Sequence, residues 1–254
     1  MREYNLNSSK NLSTLVEDIY EKIECLSQGE NMDIPQELID DFGERMKQAL
    51  VHWTEPKKQT KGLRMSNIGR PARQLWYESK KDFEPTPLKA PTHIKFLYGH
   101  LLEELLLLFS KIAGHSVSDE QKEVEVDGIK GHIDCKIDGQ VVDIKTASNF
   151  GFKKFKEGTL YQDDPFGYMH QLAGYEASEG TTEGGFLAIN KETGEINPNL
   201  IYSDDELEDS DGSTNEIHNS IKTFDVIVQQ VNDIPIATIT TPDNPDWIYQ
   251  GDND

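Results

Sequence analysis

Residues 121–147 read QKEVEVDGIKGHIDCKIDGQVVDIKTA, and this stretch decides the fold class. Residues 121–126, 129–137 and 140–146 alternate apolar with polar side chains, the two-residue period of a half-buried strand. The breaks between them are Asp127-Gly128 and Asp138-Gly139. Asp-Gly between alternating runs favours a tight two-residue turn, because both central positions need positive φ. The pattern predicts a three-stranded antiparallel meander. With Asp138 and Gly139 as the turn, Ile137 faces Gln140. Counting outward sets Asp134 across from Asp143 and His132 across from Lys145. Directly opposed Cβ atoms stand about 5 Å apart. Alternation gathers Asp134, Asp143 and Lys145 on one face and turns Ile133, Cys135, Ile137, Val142 and Ile144 toward the core.

Two carboxylates facing each other across a ladder repel. A cation between them relieves that repulsion, and oxygen-only ligands suit Mg²⁺ or Mn²⁺ rather than zinc. A lysine two residues beyond the second aspartate reaches the same pocket, where it can stabilise charge developing on a phosphate or orient an attacking water. The plain alternative is a salt-bridged surface, Asp143 with Lys145 or Asp134 with Lys136. It suffices for any one pair, but less well for an ordered set on one face.

Outward from this stretch, Leu12, Leu15, Val16, Ile19, Ile23 and Leu26 follow a helical spacing over residues 9–28. Gly29 interrupts it, and Pro35 opens a second helix to about Trp53. Residues 54–62 read as a linker. Residues 66–78 read as a short helix capped by Ser66, and 84–91, with three prolines, as a loop. A long helix is expected over 92–113, ending at Gly114. Another is expected over 164–178, with Asp164 as cap and Pro165 first. Strands are expected at 184–191 and 194–202, a loop at 203–213, a helix at 214–232, a strand at 236–240 and a tail from Pro242. The expected class is α/β: a mixed sheet built on the meander and flanked by helices 92–113 and 164–178. Residues 1–56 form an N-terminal helical region, 57–240 the core and 241–254 a C-terminal tail.

The 254 residues carry a formal net charge of −21, which argues against a general nucleic-acid-coating protein. The charge is uneven. Lys57, Lys58, Lys61, Arg64, Arg70, Arg73, Lys80, Lys81, Lys89 and Lys95 meet only Glu78, Asp82 and Glu84 between residues 57 and 95, and Lys153, Lys154 and Lys156 form a second cluster. Acid concentrates in Asp204, Asp205, Glu206, Glu208, Asp209 and Asp211. A basic groove on an acidic body and a merely solvated surface both fit this pattern. Two cysteines, Cys25 and Cys135, support neither a disulfide framework nor a four-cysteine metal site. No apolar run is long enough to span a bilayer and the N-terminus lacks a signal-peptide stretch, so the expected setting is cytoplasmic, that of the host if the chain is phage-encoded.

Gly131-His132-Ile133-Asp134 followed by Asp143-Ile144-Lys145 resembles the G-x-x-D and D/E-x-K motifs of the RecB-type PD-(D/E)XK nucleases. That branch includes RecB-like and AddB-like nuclease domains, the CRISPR-adaptation nucleases with iron–sulfur clusters, and phage exonucleases similar to lambda exonuclease. Gly99-His100-Leu101-Leu102-Glu103-Glu104 resembles the glycine-led helix motif of the family. Glu103 stands where many members place a metal-ligating histidine, on the helix face of Gly99, where a missing side chain permits close approach. Gln171 and Tyr175 match the family's Q-x-x-x-Y motif, with both side chains on one helix face. Ser66 through Tyr77 resembles the segment S-x-x-x-x-C-x-R-x-x-W-Y, with Arg73, Trp76 and Tyr77 matching and Pro71 in place of the first cluster cysteine.

The resemblance covers about residues 64–195 and implies a restriction-endonuclease-like core and a Mg²⁺- or Mn²⁺-dependent deoxyribonuclease without an iron–sulfur cluster. Catalytic candidates are Asp134, Asp143, Lys145, Gln171 and Tyr175. Metal ligands would come from Glu103, Glu104, Asp134, Asp143 and the Ile144 carbonyl. DNA contacts would come from Arg70, Arg73, Trp76 and Tyr77, although packing is the plainer role for Trp76. Exonuclease action in phage recombination or DNA processing is the expected mode, leaving a 5′-phosphate. With no Walker A loop in the chain, a helicase, recombinase or single-strand-binding protein is the kind of partner implied. A structure-specific endonuclease of the same fold, or a non-catalytic DNA-binding or DNA-mimicking protein, are the alternatives.

Overall fold

A computed structural model describes residues 10–56, 62–78, 86–181, 183–197 and 201–203. Residues 57–61 of the linker expected at 54–62, Lys80, Lys81, the acidic segment from Asp204 and the elements expected after it lie outside the described residues. The helices are α1 (Leu15–Glu24), α2 (Gln36–Thr54), α3 (Ala72–Glu78) and α4 (Ala90–Ile112). Then follow β1 (Val117–Ser118), β2 (Lys122–Val126), β3 (Ile129–Ile133), β4 (Cys135–Ile137) and β5 (Gln140–Ala147). After them come α5 (Asn149–Glu157), α6 (Tyr168–Glu179), β6 (Glu183–Asn190) and β7 (Ile201–Ser203).

The main sheet has five strands in the order β1-β4-β5-β6-β7. Its β5–β6 pair is parallel and its other pairs are antiparallel, so the sheet is mixed and the class α/β. Both expected Asp-Gly turns form, with φ of 50° and 78° at Asp127 and Gly128 and of 52° and 90° at Asp138 and Gly139. The register also begins as counted: Ile137 pairs with Gln140 and Cys135 with Val142.

The meander does not form. The chain over 129–137 breaks at Asp134 into two strands in different sheets. β3 pairs with β2 in a separate two-stranded ribbon, where His132 lies opposite Glu123 rather than Lys145, and has one parallel bridge from Lys130 to Arg64. β4 continues alone against β5 and takes β1 on its other edge. The break changes the buried face. Cys135, Ile137, Val142 and Ile144 pack with Leu12, Leu15, Val16 and Ile19 around α1 and with Leu106 and Leu107 of α4. Ile133 joins the other apolar cluster, with Val124, Ile129, Phe152, Phe155, Leu172 and Tyr175. Strict alternation would have kept Ile133 with Cys135.

The two clusters show how the layers lie. α1 and α4 cover the sheet face that Val142 and Ile144 present; α5, α6 and the β2–β3 ribbon cover the face of Val141 and Ala147. Burial contributes roughly 1.5–3 kcal/mol per large apolar side chain, so the four core residues at α1 bind it firmly to the sheet.

Local corrections concern where helices start. Ser66 caps nothing: it is exposed inside a 3₁₀ turn over Met65–Asn67, and α3 begins only after Pro71. Asp164 and Pro165 precede α6 instead of opening it, and Gly167, in the left-handed region, starts the helix. The Asp164 carboxylate still accepts the Met169 N–H at 2.8 Å, so its capping chemistry is kept at a longer reach. Helix α5 was not anticipated; Ser148 caps it by accepting from the Gly151 N–H, and Phe152 and Phe155 anchor it. Of the strand expected at 194–202, the structure has one bridge, Ile189 with Ile196, and then β7.

Glycines hold two backbones together where the 3₁₀ turn meets α6. A Cβ on Gly69 would lie 2.2 Å from the Gly167 Cα. Gly99 has no such role, since nothing lies within 4 Å of where its Cβ would be, and the close approach expected there is absent. Gly69→Ala is therefore expected to cost roughly 1–3 kcal/mol or more, because neither backbone can yield cheaply. Gly99→Ala should stabilise by up to about 1 kcal/mol through helix propensity. Urea midpoints of the two variants check both signs.

Candidate active site

The site grows out of the break at Asp134. In a continued ladder the Ile144 N–H would meet the Ile133 carbonyl. Instead, Asp134 Oδ2 accepts that N–H at 2.7 Å, and the Asp134 carbonyl accepts the Gln121 N–H at 3.0 Å. Ile144 thus joins the site through its backbone, while its side chain stays in the core under α4. Along β5, Asp143 and Lys145 share the face of Val141 and Ala147, the face covered by α6.

Asp143 is completely buried, and neither carboxylate oxygen has a hydrogen-bond partner. The Lys145 ammonium forms an ion pair with its Oδ2. Lys145 Nζ also donates to Gln171 Oε1 at 3.2 Å, and the Gln171 amide donates to Tyr175 Oη at 2.9 Å. Both members of the expected helix motif are therefore joined to Lys145 in one chain of contacts. Lys145 Nζ further stands 4.5 Å from the Tyr168 ring centre, a cation–π contact. Tyr168 was missed in the sequence, although it precedes Gln171 by three residues and so shares its helix face. Gly131 of the G-x-x-D motif has a packing reason: a Cβ there would lie 2.5 Å from Met65 Cγ and 2.9 Å from Tyr175 Cε1.

The two glutamates of α4 turn different ways. Glu103 Oε1 accepts from Gln121 Nε2 at 2.6 Å and feels the charges of Asp143 and Lys145. Burial, Glu104 and Asp143 together push its pKa up to about 7. Glu104 faces Arg45 of α2, 3.9 Å from Nη1, and burial raises its pKa too. Glu103 is thus the glutamate that belongs to the cluster. Burial, with Asp143 and Glu103, drives the Asp134 carboxyl well above the usual range. Burial alone would lower the Lys145 pKa, but Asp143 and Asp134 outweigh it and hold the ammonium above its ordinary value. Burial and the nearby Asp143 charge raise the Tyr175 phenol, which keeps its proton.

Three carboxylates around one lysine in a region of low polarity form an arrangement short of positive charge. Among the described residues, no three His, Cys, Asp or Glu side chains are grouped closely enough to hold a metal ion as they stand. The unpartnered Asp143 Oδ1 and the raised carboxyls of Glu103 and Asp134 nevertheless fit a hard cation in chemistry and number.

The expected DNA-contact residues are less clearly committed. Arg70 Nη1 is held by Glu78 at 2.9 Å, Arg73 stands 5.9 Å from the Tyr77 ring centre, and Trp76 meets Tyr77 edge-on. The second basic cluster is neutralised: Lys153 pairs with Glu157, Lys154 with Asp163 and Lys156 with Glu195.

Neither family models nor curated proteins give a match to this chain. Among solved structures, the crystal structure of SSO0001 is similar over 80% of this chain and 88% of that one, at 18% identity and a TM-score of 0.36. Likeness at that level carries no argument about this chain. No helix among the described residues is long and apolar enough to cross a membrane.

The raised carboxyls make a signed prediction. A group that binds its proton more tightly when folded stabilises the fold at low pH, and that stability fades as pH rises from the unfolded value toward the folded one. For Glu103 the window runs from 4.5 to about 7, and Asp134 acts in the same direction. In EDTA the melting temperature should fall by several degrees between pH 5 and pH 8. Glu103→Gln should flatten that fall. A melting temperature that instead rises over this range overturns the assignment.

Proposed function

We propose that this chain is a Mg²⁺- or Mn²⁺-dependent DNA nuclease with a restriction-endonuclease-like core. The observation that carries the reading is the fully buried Asp143 carboxylate, ion-paired through Oδ2 with Lys145 and with no partner at Oδ1, beside the Glu103 and Asp134 carboxyls whose protons are held abnormally tightly. A stable fold gains little from burying three carboxyl groups against one ammonium, because interior charge is costly even when it is partly paired. A site for handling phosphate needs all of it. The likeness of Asp134, Asp143-Ile144-Lys145 and Gln171…Tyr175 to the RecB-type nuclease motifs supports the same reading.

In this reading Glu103, Asp134 and Asp143, with the Ile144 carbonyl, would hold the cation, which when bound supplies Lewis-acid chemistry at the scissile phosphate. Lys145 lies where its ammonium can meet charge developing on the phosphate oxygens. Gln171 positions Lys145 by accepting from its Nζ, and Tyr175 positions Gln171 from the far side. Asp134 holds the β5 backbone at Ile144, keeping Asp143 and Lys145 in phase. Exonuclease action on DNA in phage recombination or DNA processing, leaving a 5′-phosphate, is the preferred mode. A helicase, recombinase or single-strand-binding protein would be the kind of partner served. A cluster cysteine being replaced by Pro71, the protein is proposed to carry no iron–sulfur centre.

End-labelled linear and circular DNA, incubated with the protein and Mg²⁺ or Mn²⁺, give the direct test. Shortening of linear DNA alone supports the exonuclease; nicking of circles supports an endonuclease of the same fold. No cleavage of either would leave a DNA-binding or DNA-mimicking protein, in keeping with the −21 charge. Asp143→Asn and Asp134→Ala should each abolish cutting. Lys145→Ala should slow single-turnover cleavage on the order of a hundredfold. It also strips Asp143 of its ion pair, so rates should be compared at saturating metal and below the melting point of each variant.

A further inference from the structure

Next to the Lys145 ammonium, the described structure has a cavity of about 360 Å³ running between the start of α5 and the loop that leads into α6. Its volume is within the range of small-ligand pockets. Lys145 and Tyr168 line it together with Phe150, Phe166, Lys154 and Lys191. The exposure of the two phenylalanines is unusual: Phe150 is 78% and Phe166 64% exposed, although both reach the same cavity. Single exposed apolar side chains need no explanation, but two aromatic rings at one pocket that opens onto a half-buried ammonium do.

Phe166 belongs to a stacked set, and the Phe150 ring carries Lys154 Nζ 5.5 Å from its centre. Phe166 stacks on Tyr168 with centroids 5.3 Å apart and planes 25° from parallel, and Tyr168 in turn stacks on Phe155 at 6.1 Å and 30°. A supported aromatic column therefore runs from the core to the cavity and ends in a solvent-facing ring. Of the three lysines, Lys145 is paired with Asp143 and Lys154 with Asp163, a residue that also lines the cavity. Lys191 has no side-chain hydrogen bond or ion pair among the described residues, and its backbone is fixed by donation to the Ala147 carbonyl at 3.0 Å. The α5 N-terminus does not supply an anion site, since Glu192 already accepts the Asn149 N–H at 3.1 Å.

We infer that this cavity is a nucleobase subsite: it takes one unstacked base of the strand at the site, between Phe150 and the Phe166–Tyr168 column, with a neighbouring phosphate on Lys191. A flat π-face suits any base, so the pocket selects for an unpaired base rather than for a sequence. A paired base cannot enter without leaving its duplex, which costs the unstacking and unpairing energy. The ligand class rests on the nuclease reading; the pocket itself rests on the rings, the lysine and the cavity.

The test uses the full chain and single-stranded oligonucleotides that carry either one 2-aminopurine or one abasic position, titrated in EDTA and in Ca²⁺. The wild-type protein should quench the 2-aminopurine and bind the abasic strand about tenfold more weakly. Phe150→Ala with Phe166→Ala should remove the quench and bring both strands to the same weak affinity, while Phe150→Trp should retain the preference. Both rings are exposed, so truncation leaves the core intact, and melting curves verify it. Lys191→Ala should weaken both strands alike and lower the salt slope by about one. Equal binding of the two strands by wild type, or an unchanged quench in the double variant, overturns the subsite. If wild type cuts DNA but shows no base dependence, only the subsite falls. If it shows base dependence but never cuts, only the nuclease reading falls.

Discussion

The Asp134 carboxylate takes the Ile144 N–H that a continued β4–β5 ladder would have given to a backbone carbonyl, and the arrangement of the molecule follows from that exchange. Because the side chain satisfies the donor, the chain before Asp134 can leave the main sheet without orphaning an amide in the interior. It leaves as β3, pairs with β2, and lays the resulting ribbon over α6. Lys122 of the ribbon and Lys136 of β4 then both grip Glu179 near the end of that helix, at 2.9 Å and 2.5 Å. Ile133 and Cys135, two residues apart, end in cores on opposite sides of the sheet. The same carboxylate is thereby held beside Asp143.

The electrostatic consequence is a site that is costly in isolation. Glu103, Asp134 and Asp143 oppose one another where water is scarce, and the Lys145 charge offsets them, helped by the hydrogen bonds from Gln121 and the Ile144 N–H. The helix α6 answers with neutral, orientable groups. Its face of Tyr168, Gln171 and Tyr175 presents a ring to the ammonium, an amide oxygen to its protons, and a hydroxyl to the amide. Each contact fixes where the Lys145 charge can stand, and none neutralises it. With Lys145 paired to Asp143 and the cluster of Lys153, Lys154 and Lys156 paired as well, Lys191 is the cavity-lining lysine without a side-chain ion pair among the described residues.

Much of this was legible from the chain. The Asp-Gly pairs specified both turns, because few other dipeptides accept two positive φ angles in sequence. A period of two put Asp143 and Lys145 on one side of β5, and a period of 3.6 put Gln171 and Tyr175 on one side of α6. These are local consequences of backbone geometry, and so the α/β class, the mixed sheet and the core of the candidate site could be read without a structure. Tyr168 was within reach of the same helical period and was overlooked.

Tertiary structure decided the rest. Alternation continues through residues 129–137 without a gap, and nothing local announces that an aspartate side chain will replace a ladder carbonyl; that choice depends on the Ile144 N–H and the α6 surface being there together. Glu103 and Glu104 are chemically identical neighbours, and only the positions of Gln121 and Arg45 turn one to the site and the other away. Gly99 has the glycine of a motif but open space beside it, whereas Gly69 and Gly167, which no motif marked, touch backbone to backbone. Sequence determines what each segment can do by its own period and turn chemistry. Which of two equal side chains is buried, and which glycine is indispensable, is set by a neighbour distant in the chain, and its approach is fixed only when the whole core packs.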